Sequence, residues 1–201
     1  MRRLFHRGLL LPALAAVLAL LAACQAQPQW QLANVSGHLP DLRFTLTNDL
    51  DQPATAAAYR GKVVMLYFGY THCPDVCPLT LAHMHEVMQK LGTAADGVQF
   101  LFVTVDPERD TPAVLRQYVA AFDPHIVGLT GTQDQIAALA KRFRSFYQRE
   151  TPNTASGNYA VSHSSAIYIF DRDGRARLLA TPGDPQAAVV HDLRLLLEEK
   201  S

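Results

Sequence analysis

A near-unbroken apolar run, Lys62 to Phe68 (KVVMLYF), is followed at once by GYTHCPDVCPLTL, Gly69 to Leu81. Such a run reads as a strand buried on both faces, since a half-exposed strand would alternate with polar residues. From Pro78 to Leu91 the apolar positions Leu79, Ala82, Met84, Val87, Met88 and Leu91 take up helical spacing. Pro78 suits the first helical position, which makes Cys77 the expected N-cap. Two thiols, Cys73 and Cys77, therefore fall at the junction between a buried strand and the helix that follows it.

That junction has chemical consequences. Free N–H groups and the positive end of a helix dipole favour a thiolate, lowering its pKa. Thiolate is both the nucleophile of disulfide exchange and a soft metal ligand. A thioredoxin-type pair has two residues between its cysteines; here there are three, Pro74, Asp75 and Val76. The wider loop can hold two sulfurs around an ion and still close to a disulfide on oxidation. Asp75 adds a negative charge that favours a bound cation. A purely structural disulfide is a poor reading, because so short a loop gains little from closure. Two thiolates suit Cu(I) or zinc. A closed zinc site wants four ligands, whereas copper is satisfied by two sulfurs and one imidazole. The chain has eight histidines, and spacing alone does not choose among them. His72 adjoins Cys73 and would reach the same ion only under strain. His83 and His85, with Met84 and Met88, could form an auxiliary copper surface on the helix or simply cover a core. His38, His125 and His191 stand apart, and His163 lies in the loop YAVSHSS beside an expected strand.

The N-terminus decides which cysteines remain. Arg2, Arg3 and Arg7 precede an apolar stretch from Leu9 to Ala22, 14 residues, short of the roughly 20 that cross a bilayer as a helix. It reads as a removed export signal. The signal ends in LAAC, Leu21 to Cys24, which resembles a bacterial lipobox and implies cleavage before Cys24 and lipidation of its sulfur. Three cysteines thereby reduce to two, in an oxidising compartment where a thiol pair tends to close. Gln25, in place of an aspartate, points toward the outer membrane and leaves the choice of membrane open. The 18 basic and 18 acidic side chains balance, and three of the basic ones fall in the signal. The remainder is mildly acidic, which argues against a nucleic-acid surface.

The expected organisation is a signal over residues 1–23, a polar tether over 24–39 and one domain over 40–201. Leu42, Phe44 and Leu46 alternate as a strand before the turn NDLDQP. Val98 to Val105 is a second buried strand. Thr111–Pro112 caps a helix running to Phe122. Ile126 to Leu129 is a short strand, Thr132 to Phe143 a helix and Ser145 to Glu150 a further strand. TPNTASGN is a loop. Ser164 to Phe170 and Ala176 to Ala180 form a hairpin about the turn DRDG, and Asp184 to Glu199 is the last helix. Strands alternating with helices, with a cysteine pair after the first buried strand, predict an α/β thioredoxin-like fold. Its central mixed sheet is flanked by helices and carries an additional late β-hairpin. Asp106 and the run DPERDTP are read as strand-end and capping chemistry, with Asp106 near the site. Phe68 and Tyr70 are read as packing.

GKVVMLYFGYTHCPDVCPLTL (61–81), VTVDPERDTPAVL (103–115) and VSHSSAIYIFDRDG (161–174), in that order and spacing, resemble the Sco (SenC/PrrC) family from about Leu39 onward. The resemblance implies copper, Cu(I) or Cu(II), held by Cys73, Cys77 and His163; it alone promotes His163 above the other histidines. It also implies a role as metallochaperone in assembling the binuclear copper site of cytochrome c oxidase. The alternative is a thiol–disulfide oxidoreductase, with Cys73 attacking and Cys77 resolving, that reduces that site or other exported proteins. The implied partners are the oxidase copper-site subunit, periplasmic copper chaperones and thiol reductants. The implied location is the periplasmic side of a membrane.

Overall fold

In the computed structural model, which describes residues 29–151 and 159–199, one eight-stranded mixed sheet organises the domain. In chain order the elements are β1 (Ala33–Asn34), β2 (Thr45–Asn48), β3 (Pro53–Thr55), β4 (Val63–Gly69), α1 (Val76–Leu91), β5 (Val98–Thr104) and α2 (Pro112–Ala120). There follow β6 (Val127–Thr130), α3 (Gln133–Arg142), β7 (Tyr147–Arg149), β8 (Val161–His163), β9 (Ile167–Phe170), β10 (Ala176–Ala180) and α4 (Gln186–Glu198). The sheet order is β1-β10-β9-β4-β5-β6-β2-β3. The expected export signal, Cys24 and most of the loop TPNTASGN lie outside the described residues.

The two apolar runs take the centre. β4 pairs in parallel with β5 and antiparallel with β9, so both of its edges and both of its faces are covered and all seven residues are buried. A fully buried apolar side chain contributes about 1.5–3 kcal/mol, which is why these runs cannot sit at an edge. Side chains alternate across the sheet. On one face Tyr67 and Phe102 meet α1 and α2: Phe102 lies 5.6 Å from Tyr118, and α4 rests against α1. On the other face Tyr168 and Phe170 pack on Phe143, just after α3, at 5.5 and 5.3 Å. The late hairpin is β9–β10.

Local chemistry sets the helix starts. The Thr111 hydroxyl accepts the Val114 N–H with Pro112 at the helix start, as expected. Thr132 and Gln135 form a reciprocal capping box at α3.

Two expectations need correcting. The helix after the cysteines begins at Val76, not Pro78, so Cys77 is inside its first turn. A proline is tolerated there because first-turn N–H groups lack intrahelical partners anyway. The tether also ends earlier than expected. Gln31 and Leu32 N–H donate to the buried Asp192 carboxylate, Leu32 is buried, and Ala33–Asn34 add a strand to β10. Both contacts join residues roughly 150 positions apart, so local composition could not reveal them.

Candidate metal centre

β4 ends at Gly69, and the chain leaves the sheet toward α1. An alanine Cβ at Gly69 would lie 2.7 Å from Phe102 Cε2 and 2.9 Å from Cys77 Sγ. The missing side chain is therefore the space into which Cys77 fits. Cys77 is completely buried on the apolar stripe of α1, with Leu81 and Met84 one and two turns on. Cys73 is buried beside it. Its sulfur accepts the Cys77 N–H at 3.4 Å, so Cys73, rather than Cys77, serves the free donors of the helix end. The loop is held from below by Asp110, whose carboxylate accepts the Thr71 N–H (3.0 Å), the Thr71 hydroxyl (2.6 Å) and the Thr104 hydroxyl (2.6 Å).

The third group arrives on a separate two-stranded ribbon, β7–β8, in which Tyr147 opposes His163. His163 Nδ1–H donates to the Ser164 carbonyl at 3.0 Å, which leaves Nε2 as the free lone pair, 3.2 Å from Cys77 Sγ. The ring is wedged edge-on between Tyr70 and Tyr67, with centroids at 5.9 and 6.0 Å. Burial lowers its pKa below 6.5, and the Ser164 carbonyl offsets this only in part. The imidazole is thus neutral and ligand-ready at neutral pH.

Burial dominates at Cys77 too, and here the expected helix-end effect loses. Its thiol is pushed up to about 12, chiefly by desolvation and despite hydrogen bonds from the Tyr70 backbone and the Tyr67 hydroxyl. The Tyr67 hydroxyl lies 3.6 Å from the sulfur. An apolar pocket disfavours a bare thiolate more than the dipole favours it. A cation placed between the donors reverses that balance.

Donor atoms of Cys73, Cys77 and His163 all lie within 4.8 Å of one another, and no other such cluster occurs among the described residues. Two soft sulfurs and one neutral imidazole nitrogen, converging where both cysteines are buried and the histidine is partly buried, fit a copper ion. Among the described residues, the remaining histidines do not join them. His72 is exposed and hydrogen-bonds Thr71. His85 and His125 both bond Asp123 at 2.9 Å, and Met84 and Met88 are core, so no auxiliary surface of His83, Met84, His85 and Met88 is assembled. His191 bonds Asp192. Asp75 is exposed, and the Asp106 carboxylate is engaged by Arg109 and Tyr159. Sequence reasoning missed the roles of Tyr67, Gly69 and Asp110. Only Gly69 left a trace, as a lone glycine ending a buried strand.

Comparison with known proteins agrees with this geometry. The SCO1/SenC family model matches residues 36–198. The mitochondrial protein SCO2 homolog of Mus musculus is 42% identical over 133 residues, which are 65% of this chain and 52% of that one. This chain therefore spans about half the length of the curated relatives it matches. The structure of Bradyrhizobium japonicum ScoI with copper bound is 37% identical with a TM-score of 0.72, covering 79% of this chain and 99% of that one. The apo Sco1 solution structure from Thermus thermophilus is 34% identical with a TM-score of 0.74, covering 85% of this chain and all of that one. The thioredoxin-like sheet, the paired cysteines and the facing histidine thus come together in one conclusion: the chain belongs to the SCO1/SenC family.

Proposed function

We propose that the chain is a copper metallochaperone that carries Cu(I) or Cu(II) on Cys73, Cys77 and His163 and delivers it to the binuclear copper site of cytochrome c oxidase. The observation that carries this reading is the convergence of two sulfurs and a neutral imidazole within 4.8 Å. The copper-bound relative of the same fold supports it. The two thiolates suffice for Cu(I), while the imidazole supplies the harder donor that Cu(II) needs. In delivery, incoming partner thiolates displace the chain's own donors one at a time. The raised pKa of Cys77 assists release, because this sulfur readily takes back a proton on leaving the metal.

The lipobox at Leu21 to Cys24 supports an anchored location on the periplasmic side of a bacterial membrane, with periplasmic copper chaperones and thiol reductants as further partners. Among the described residues no helix is long and apolar enough to cross a membrane.

Titrating the reduced chain anaerobically with Cu(I), and separately with Cu(II), tests the assignment. His163→Ala is expected to weaken Cu(II) binding sharply and Cu(I) binding little. Equal affinities in wild type and variant would remove His163 from the site.

A second reading, thiol–disulfide exchange with the oxidase cysteines, is favoured by one observation. The sulfurs of Cys73 and Cys77 are unbonded yet neighbours, so oxidation needs only a small approach. Trapping a mixed disulfide with a Cys77→Ser variant tests it; failure to exchange with any oxidase-subunit thiol would end it.

A further inference from the structure

His163 depends on a weak support. β7 and β8 are three residues each and share no ladder with the main sheet. An isolated two-stranded ribbon is marginal in water, so its position over the cysteines must be fixed from outside.

One tie runs from Gln133 to the Tyr147 hydroxyl at 2.9 Å; those toward the Asp106–Asp110 turn converge on Tyr159, four residues before His163. Its hydroxyl donates to Asp106 Oδ1 at 2.6 Å. Arg109 lies over its ring at 3.7 Å from the centroid, and Arg149, from β7, at 3.6 Å. Two like-charged guanidinium groups this close to one centroid must take opposite faces. The ring is therefore clamped between a cation of the Asp106–Asp110 turn and a cation of the ribbon itself. Both cations are fixed in turn: Asp106 pairs with Arg109, and Glu108 pairs with Arg149 at 2.7 Å. Beside the clamp, the Val161 N–H donates to the Tyr70 hydroxyl at 3.3 Å, and the Tyr70 ring meets His163. Among the described residues, every polar tie from the ribbon to the DPERD turn passes through Tyr159 or its two arginines.

We propose that Tyr159, clamped between Arg109 and Arg149, is a positioning residue that latches the β7–β8 ribbon to the DPERD turn and so holds the His163 ring over the two sulfurs. The proposal rests on His163 being a copper ligand. Tyr159 touches no metal; it acts through the histidine, as groups outside a metal's own ligands do. Its loss should weaken the binding that needs the imidazole and spare the binding that needs only sulfur.

The test uses the full-length chain, reduced and in detergent, with Cu(I) and Cu(II) affinities measured by chelator competition. Tyr159→Ala is expected to lower Cu(II) affinity about 10–100-fold, the usual cost of losing such a supporting contact, with Cu(I) affinity changed by less than about 3-fold on the same scale. Tyr159→Phe keeps the stacked ring and is expected to recover most of the loss. In a His163→Ala background Tyr159→Ala should cost nothing further. Equal losses for both oxidation states, a loss that persists without His163, or no loss at all would overturn the latch. Arg149→Gln, on a half-exposed side chain, repeats the test without threatening the core. Amide exchange in the copper-free chain separates the two ideas. Tyr159→Ala should speed exchange at Val161, whose N–H donates to Tyr70, and at Ser164, whose N–H donates to Phe146 across the ribbon, at least about 10-fold while leaving β9 unchanged. If His163→Ala alone leaves Cu(II) affinity intact, the ligand assignment fails, and exchange still decides whether the latch exists.

Discussion

Gly69→Ala perturbs the site through one methyl group. Gly69 is not among the glycines with positive φ, so the backbone accepts alanine and the cost is steric alone. The new Cβ would sit 2.7 Å from Phe102 Cε2 and 2.9 Å from Cys77 Sγ. Comfortable contacts between such atoms begin at about 3.5 Å, so the ring must retreat by roughly 0.8 Å and the sulfur by roughly 0.6 Å. Neither has free space, because both side chains are fully buried. Overpacking of this kind costs about 1–3 kcal/mol, and for a chain of this size each kcal/mol shifts Tm by roughly 2–4 °C. Melting of the copper-free chain should therefore fall by roughly 2–12 °C. Copper affinity should fall in both oxidation states, because Cys77 Sγ is 3.2 Å from His163 Nε2 and the displaced atom is a shared donor. Adding Phe102→Leu opens room on the ring side and should restore melting more than copper binding. The assays are differential scanning calorimetry and chelator competition. A Gly69→Ala chain that melts no lower than wild type and binds copper normally would refute the packing argument.

Other expectations follow from the same structure. Because the Cys77 thiol is pushed up to about 12, copper must displace its proton throughout the neutral range. Cu(I) affinity should rise about tenfold per pH unit from this thiol alone, measurable by competition at three pH values; a pH-independent affinity would contradict the burial argument. Burial alone would raise the Asp123 carboxyl, but bonds from the His125 N–H and the His85 and His125 rings together hold it below 3.8. A depressed carboxyl stabilises the fold above its unfolded pKa, and that contribution disappears as pH falls through the folded value. Asp123→Asn should thus cost about 1–3 kcal/mol at pH 7, with the gap closing in acid below pH 3.8; equal urea midpoints at neutral pH would count against it. Asp192→Asn should loosen the first strand without touching copper, seen as faster amide exchange at Gln31 and Leu32, whose N–H groups it accepts.

Much of the sheet was legible because its signal is local. KVVMLYF and VQFLFVT could hardly be anything but central strands, and Thr111–Pro112 announced its helix. What the sequence concealed depends on distant partners. β8 is three residues long, with no run or alternation to mark it; it exists because Tyr147 to Arg149 come to pair with it. β1 hides in a polar segment, anchored by a carboxylate near the C-terminus. The placement of His163 came from likeness to a family, not from spacing, since nothing local separates it from the other histidines. The chemistry of Cys77 was misjudged for a related reason. The helix-end dipole can be read from the sequence, whereas the burial that outweighs it follows from Gly69, Phe102 and Tyr67 closing around the sulfur.

X-ray absorption on the Cu(II)-loaded chain tests the shared site most directly. Two sulfur scatterers together with the outer-shell signature of one imidazole are expected, and His163→Ala should erase the imidazole while keeping both sulfurs. A copper environment without sulfur, or an imidazole signal that survives the loss of His163, would contradict the account.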